Sequence, residues 1–380
     1  MMNKLKIKDL AKQIRGVSYK TSDLHEELDS QSVILLRANN ISNGLINFDD
    51  VIYVDKQKVS EIQYLKKGDI LICASSGSKK LVGKAASVDF DMECTFGAFC
   101  KVVRPKEEYM DYLGSYFQSS IYRNKISKAS LGANINNIRN EHIDGLEVPL
   151  YSKENMSTIT KRMQLLQKII ININQELKLL DELVKARFVE LFGTLDNPTF
   201  NYNKSTLGEL CYKITDGKHG GCSLIQGSNR YFVGAREIYD DKVHYENAPE
   251  ISVDDFEKDY RRCNVEVGDF LIVNTGATIG KSAIATDKRT KHTLLQKSVA
   301  LLKLNQDLLN PEFLKWCYRI NTRMYLVESS SAQPNLLLSK IKATEIYVPP
   351  IELQNQFADF VKEVDKSRFI IKSMIKEGLL

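Results

Sequence analysis

The chain has 380 residues, 43% of them hydrophobic and 27% charged, and a formal net charge of +5. That is an ordinary soluble, globular composition, long enough for two or three domains with separate cores. No apolar run follows Met1 and no run of eighteen apolar residues occurs, so neither a signal peptide nor a membrane span is expected. Seven cysteines without a C-x-x-C pair point to a reduced, cytoplasmic protein. The mild positive charge permits a nucleic-acid partner without arguing for one.

In chain order, residues 32–36, 70–72 and 99–103 read as strands, with Gly68-Asp69 as a turn before the second. Residues 109–119 have helical spacing. From 154 to 192 the apolar positions Met156, Ile159, Met163, Leu166, Ile170, Ile173, Leu177, Leu180 and Val184 step alternately by three and four. Polar residues such as Arg162, Lys168, Asn172 and Glu176 fill the gaps. This heptad seam predicts a helical rod about 60 Å long at ~1.5 Å per residue, which needs a second helix to cover it. Arg187 interrupts the seam, with its stem expected to lie along it.

Beyond the rod the chain repeats itself at a spacing of about 200 residues. Leu10 and Ile14 recur as Leu210 and Ile214, Gly68-Asp69 as Gly268-Asp269, Gly83-Lys84 as Gly280-Lys281, and Val148-Pro149 as Val348-Pro349. Strands are expected at 270–273 and 298–302 and a helix at 311–325. The seam returns as Phe357, Phe360, Val364, Ile371 and Met374, on a helix that stops short at Leu380. The prediction is an α+β chain of two repeated units. Its segments are a first unit at 1–151, a central helix at 152–193, a second unit at 194–350 and a short distal helix at 351–380.

Several stretches imitate catalytic motifs. Gly276-Ala277-Thr278-Ile279-Gly280-Lys281-Ser282 is one residue short of a phosphate-binding P-loop, and a strand is expected after it where that motif needs a helix. It reads as a glycine-rich hairpin that presents a lysine. Val348-Pro349-Pro350-Ile351 lacks the Asn or Asp before the prolines and the aromatic after them that an amino-methyltransferase uses. His25, His142, His219, His244 and His292 show no metal-ligand spacing. Catalysis by this chain and a metal site are therefore not expected.

Phosphates are held by Lys and Arg, and base edges are read by Arg, Lys, Asn and Gln. Such groups sit in glycine-rich or Ser/Asn-rich loops of both copies. The first copy offers Lys79, Lys80, Lys84, Arg123, Lys125, Lys128, Asn134, Asn136, Asn137 and Arg139. The second offers Lys218 and His219 within Asp216-Gly217-Lys218-His219-Gly220-Gly221, then Arg230, Arg236, Lys281, Lys288, Arg289, Lys291, Gln333 and Asn335.

Taken together, the chain resembles the specificity subunit of a type I restriction-modification system. Leu183-Val184-Lys185-Ala186-Arg187-Phe188-Val189-Glu190-Leu191-Phe192-Gly193 resembles the end of that family's central helix. Val348-Pro349-Pro350-Ile351-Glu352-Leu353-Gln354 resembles the start of its distal helix. Ala332-Gln333-Pro334-Asn335-Leu336, and Asp69 and Asp269 with the Gly-Lys loops after them, resemble its target-recognition domains. Pro149-Leu150-Tyr151, without a double proline, and the short distal helix depart from the pattern. The resemblance implies two domains that each read half of a split double-stranded DNA target, held apart by helices paired as an antiparallel coiled coil. It implies two methylation subunits bearing S-adenosylmethionine and two restriction subunits using ATP and Mg, with no cofactor on this chain. A methylation-only system and a DNA-modifying enzyme remain the alternatives.

Overall fold

The computed structural model describes residues 3–78, 81–130, 137–194, 196–321 and 335–378. The chain forms two compact units, residues 1–171 and 172–380, and the helix Lys153–Phe192 runs from one into the other.

Each unit carries a four-stranded antiparallel sheet of the same order, and the first has a second, mixed sheet of four strands, Cys94–Phe96, Ser32–Leu36, Ile52–Asp55 and Leu24–His25. In the first the order is Ala11–Arg15, Cys100–Pro105, Ile70–Cys73, Ala85–Ser87. In the second it is Cys211–Asp216, Val299–Leu304, Phe270–Val273, Ser282–Ile284. Both Ile70–Cys73 and Phe270–Val273 are buried at every residue. Their apolar runs do not alternate because both faces are covered. Ile70 and Ile72 pack under the helix Met110–Gln118 through Leu113 and Phe117, whereas Leu71 and Cys73 face Leu36, Val88 and Phe96. In the second unit Phe270 and Ile272 meet Phe313, Leu314 and Tyr318 of the helix Pro311–Ile320, and Leu271 and Val273 meet Tyr231 and Val233. The predicted helix at 311–325 thus ends at Ile320; residues 322–325 fall outside the described chain.

Two further features repeat. A strand after the first turns runs parallel to one later in the unit: Ser32–Leu36 beside Cys94–Phe96, and Tyr231–Val233 beside Thr293–Leu295. The ends of each unit also pair. Asn3–Lys6 is antiparallel to Glu147–Leu150, and Lys204–Thr206 to Glu345–Tyr347.

Gly16 and Gly217 hold matching places where two backbones pass at close range. A β-carbon on Gly16 would lie 2.1 Å from the carbonyl oxygen of Gly97, and one on Gly217 would lie 2.2 Å from that of Leu295. The neighbour in each case is backbone and cannot swing aside. Gly217→Ala is expected to cost about 1–3 kcal/mol by overpacking. Gly221→Ala, in the same loop with nothing within 4 Å, should leave the thermal midpoint unchanged.

Along Lys153–Phe192 the seam residues Met156, Ile159, Met163, Ile170, Ile173, Leu177 and Leu180 are half-buried and Val184 is buried. Leu166 departs from expectation at 42% exposed. Gln167, ~100° round the helix, is half-buried instead. After Val184 the burial moves to Phe188 and Phe192, in steps of four. Here the helix plugs the core of the second unit, and a core follows the straight helix's 3.6 period rather than 3.5. Arg187 is half-buried and ion-paired to Glu190 at 2.8 Å.

The distal helix Ile351–Gly378 buries Phe357, Val361 and Val364, with Phe360 and Ile371 half-covered. Met374 is 66% exposed, contrary to the heptad reading, because three-residue steps carry it off the line of Val361, Val364 and Arg368. Phe357 meets Phe188 edge-on at 5.3 Å between ring centroids, and Arg368 pairs with Asp181 at 2.6 Å.

Candidate nucleic-acid interface

The glycine-rich turns and the asparagine-bearing segments, far apart in sequence, meet in both units. The strand Ile70–Cys73 runs on to Ser75, which bridges Asn137, and the Ile138 amide donates to the Ala74 carbonyl at 2.7 Å. In the second unit Thr275 bridges Asn335, the Leu336 amide donates to the Asn274 carbonyl at 2.7 Å, and the Thr275 hydroxyl donates to the Asn335 side chain at 3.2 Å. The near-P-loop is an antiparallel hairpin, Phe270–Val273 with Ser282–Ile284, and it leaves Lys281 exposed. Lys79, Lys80, Asn134, Asn136 and Gln333 lie outside the described residues.

The remaining cations divide by what holds them. Arg123 donates to the Val82 carbonyl at 2.5 Å and Lys125 to that of Glu147 at 2.8 Å. Lys218 is ion-paired to Asp259, which raises its pKa, and His219 lies 3.1 Å from Asp216. Arg289 forms two hydrogen bonds to Asp287, at 2.9 and 2.7 Å, and covers the Tyr245 ring. Those bonds hold the Asp287 carboxyl down at about 2. The Arg230 guanidinium lies 5.1 Å from the Phe256 ring centroid. Lys128, Arg139, Arg236, Lys281, Lys288 and Lys291 are exposed, and Lys84 is half-buried. The Arg139 guanidinium is ion-paired to Glu141 at 3.6 Å.

Two clefts of the first unit flank the Ala74–Gly77 turn. One, of 320 Å³, lies among Tyr19, Arg37, Asn39, Ser76 and Phe99. Arg37 and Asn39 both donate to Asp50, at 2.9 and 2.8 Å, while Phe99 is 70% exposed. The other, of 800 Å³, brings Arg15, Lys58 and Lys101 beside Asn137, Arg139 and Asn140. Sequence reading missed Arg15 and Lys101. They are cross-strand partners, and only the strand register reveals that.

The double proline has a structural task. Ile351 opens the distal helix directly after it, and Gln354, fully buried, donates to the carbonyls of Leu308 at 3.0 Å and Pro349 at 2.8 Å. Its own oxygen accepts from the Asn310 amide at 2.9 Å. Every polar group is satisfied, as a buried amide requires.

Comparison with known proteins agrees with this duplicated architecture. The EcoKI specificity subunit of Escherichia coli (strain K12) is 28% identical over 376 residues, spanning 93% of this chain and 79% of that protein. The StySPI specificity subunit of Salmonella potsdam is 28% identical over 374 residues, with the same shares of the two chains. Among solved structures, the type I restriction-modification S subunit of M. genitalium shares the fold with a TM-score of 0.56. It is 16% identical, over 99% of this chain and 93% of that one. A chain from the complex-assembly study of a type I R-M system gives 0.53, also at 16% identity and over the same shares. The family model described as "Type I restriction modification DNA specificity domain" matches residues 2–182 and again 201–380. The chain therefore belongs to the type I restriction-modification specificity family and carries its domain twice.

Proposed function

We propose that this chain reads a bipartite duplex DNA target for a type I restriction-modification complex, one half-site per unit. The observation that carries the reading is the doubled loop junction, Ser75 with Asn137 and Thr275 with Asn335, at the same place on two copies of one sheet. In the second unit Lys281, in the hairpin that follows Thr275, is exposed, as are Arg236 and Lys291 on other turns of that unit. Lysines there hold phosphates, and the amide side chains suit base edges.

Residues 1–151 and 194–350 act as the readers, with 152–193 and 351–380 as connecting helices. The helices pair as an antiparallel coiled coil. Phe188 with Phe357 and Asp181 with Arg368 support this, because one number falls as the other rises. Two methylation subunits dock on the helices and supply S-adenosylmethionine and the chemistry. Two restriction subunits add ATP- and Mg-dependent cleavage. The chain itself binds no cofactor, catalyses nothing and works in the cytoplasm.

Exchanging residues 1–151 for the matching domain of another family member tests this. Methylated sites in a genome carrying the exchanged gene should keep the half-site read by residues 194–350 and change only the other. A simultaneous change of both halves would refute independent readers. Methylation that does not depend on the gene would refute the DNA-reading role itself.

A further inference from the structure

Like charges set opposite each other on neighbouring strands destabilise the pair, and folds avoid them. The first unit breaks this rule at Arg15 and Lys101, which are direct cross-strand partners. Both line the 800 Å³ cleft, with Arg139 and Asn137 also on its wall. Arg15 is exposed and has no ion pair among the described residues. Lys101 is half-buried and donates to the Asn140 side chain, a neutral group. Burial pushes the Lys101 ammonium below its ordinary value, and Arg15 pushes it further. Glu141 and Asp144 act the other way, but each is engaged elsewhere. Glu141 pairs with Arg139 at 3.6 Å, and Asp144 accepts from Gln13 at 2.7 Å.

The second unit treats the same place differently. There Asp216 faces Ala300, and Arg262 and His219 close on the Asp216 carboxylate at 2.5 and 3.1 Å. A sheet of the same order therefore folds without the two cations. Their repulsion is a cost that an external anion would remove.

We propose that Arg15 and Lys101 form a clamp for backbone phosphates of duplex DNA, which the first unit has and the second lacks. The proposal rests on the DNA-reading function above and adds to it. The clamp holds DNA without choosing its sequence, because phosphates are the same at every step. The first unit consequently supplies more of the salt-sensitive affinity than the second. Arg139, on the same wall, extends the clamp once DNA competes with Glu141 for its guanidinium.

The test uses the full chain and a fluorescent duplex of mixed sequence, with affinity measured across a potassium chloride series. Each phosphate contact contributes about 0.9 to the slope of log K against log salt, so Arg15→Gln with Lys101→Gln should make it shallower by about 1.8. The same double variant, without DNA, should melt no lower than the unaltered chain, since it loses a repulsion. Arg15→Lys with Lys101→Arg should restore the slope. An unchanged slope in the glutamine variant overturns the clamp and leaves the DNA-reading function standing. A lowered melting temperature in both single glutamine variants also overturns it, because the pair would then be structural. Failure of the unaltered chain to bind the duplex overturns the clamp and its parent reading together.

Discussion

Phe188→Ala should lower the thermal midpoint of the second unit by roughly 10 °C. Phe188 is 2% exposed and touches three rings, Phe192, Phe313 and Phe357, with centroids at 5.0, 5.5 and 5.3 Å. Those rings come from three helices, so removing the central one cannot be repaired by moving a single element. Truncating a buried Phe costs about 3–5 kcal/mol. In a domain of this size each kcal/mol moves the midpoint by about 2–4 °C. Leu183→Ala, five residues back on the same helix and 48% exposed, should cost less than about 0.5 kcal/mol. Calorimetry of both variants decides the matter, and equal losses would mean that the ring cluster is not the anchor of this helix.

Asp69→Ala should unfold the first unit far more readily than Asp269→Ala unfolds the second. Asp69 has a side chain 1% exposed and takes two hydrogen bonds from Arg104, at 2.8 and 2.7 Å. It also accepts from the Lys66 amide at 2.9 Å, fixing the turn before Ile70–Cys73. Without it the Arg104 guanidinium, 21% exposed, loses its only counter-charge among the described residues. Removing one partner of a buried pair costs about 3–5 kcal/mol. In the second unit the cation is Lys303, which binds Glu266 at 2.7 Å as well as Asp269 at 2.9 Å. Glu266 would keep it paired after Asp269→Ala, so the loss there should be about half as large or less. Hydrogen exchange separates the units. Amides of Ile70–Cys73 should lose protection in the first variant more than those of Phe270–Val273 in the second.

The repeat, the two units and the long helices were legible because each leaves a periodic trace in the sequence. The heptad rule failed where its physical premise ends. It assumes a helix lying along another helix, but past Val184 the helix enters a domain core, and Phe188 and Phe192 fall out of the rule. Leu166 and Met374 satisfy the pattern and stay exposed. The loop candidates were legible as a composition of cations and amides. Their partners were not: Lys218 and Asp259 lie 41 positions apart, and no local signal joins them. Arg15 and Lys101 were invisible for a different reason. A surface cation looks alike on any strand until the register states what stands opposite.

The pairing of Asn3–Lys6 with Glu147–Leu150, and of Lys204–Thr206 with Glu345–Tyr347, has a consequence for inheritance. A reader whose first and last strands touch enters and leaves its fold through one doorway. Recombination that replaces everything between two such points disturbs the host protein at a single spot, and main-chain bonds there ask little of the side chains that arrive. Backbone pairing of this kind tolerates foreign sequence better than an interlocked core does. A lineage can thus trade one whole unit while the long helices go on unchanged.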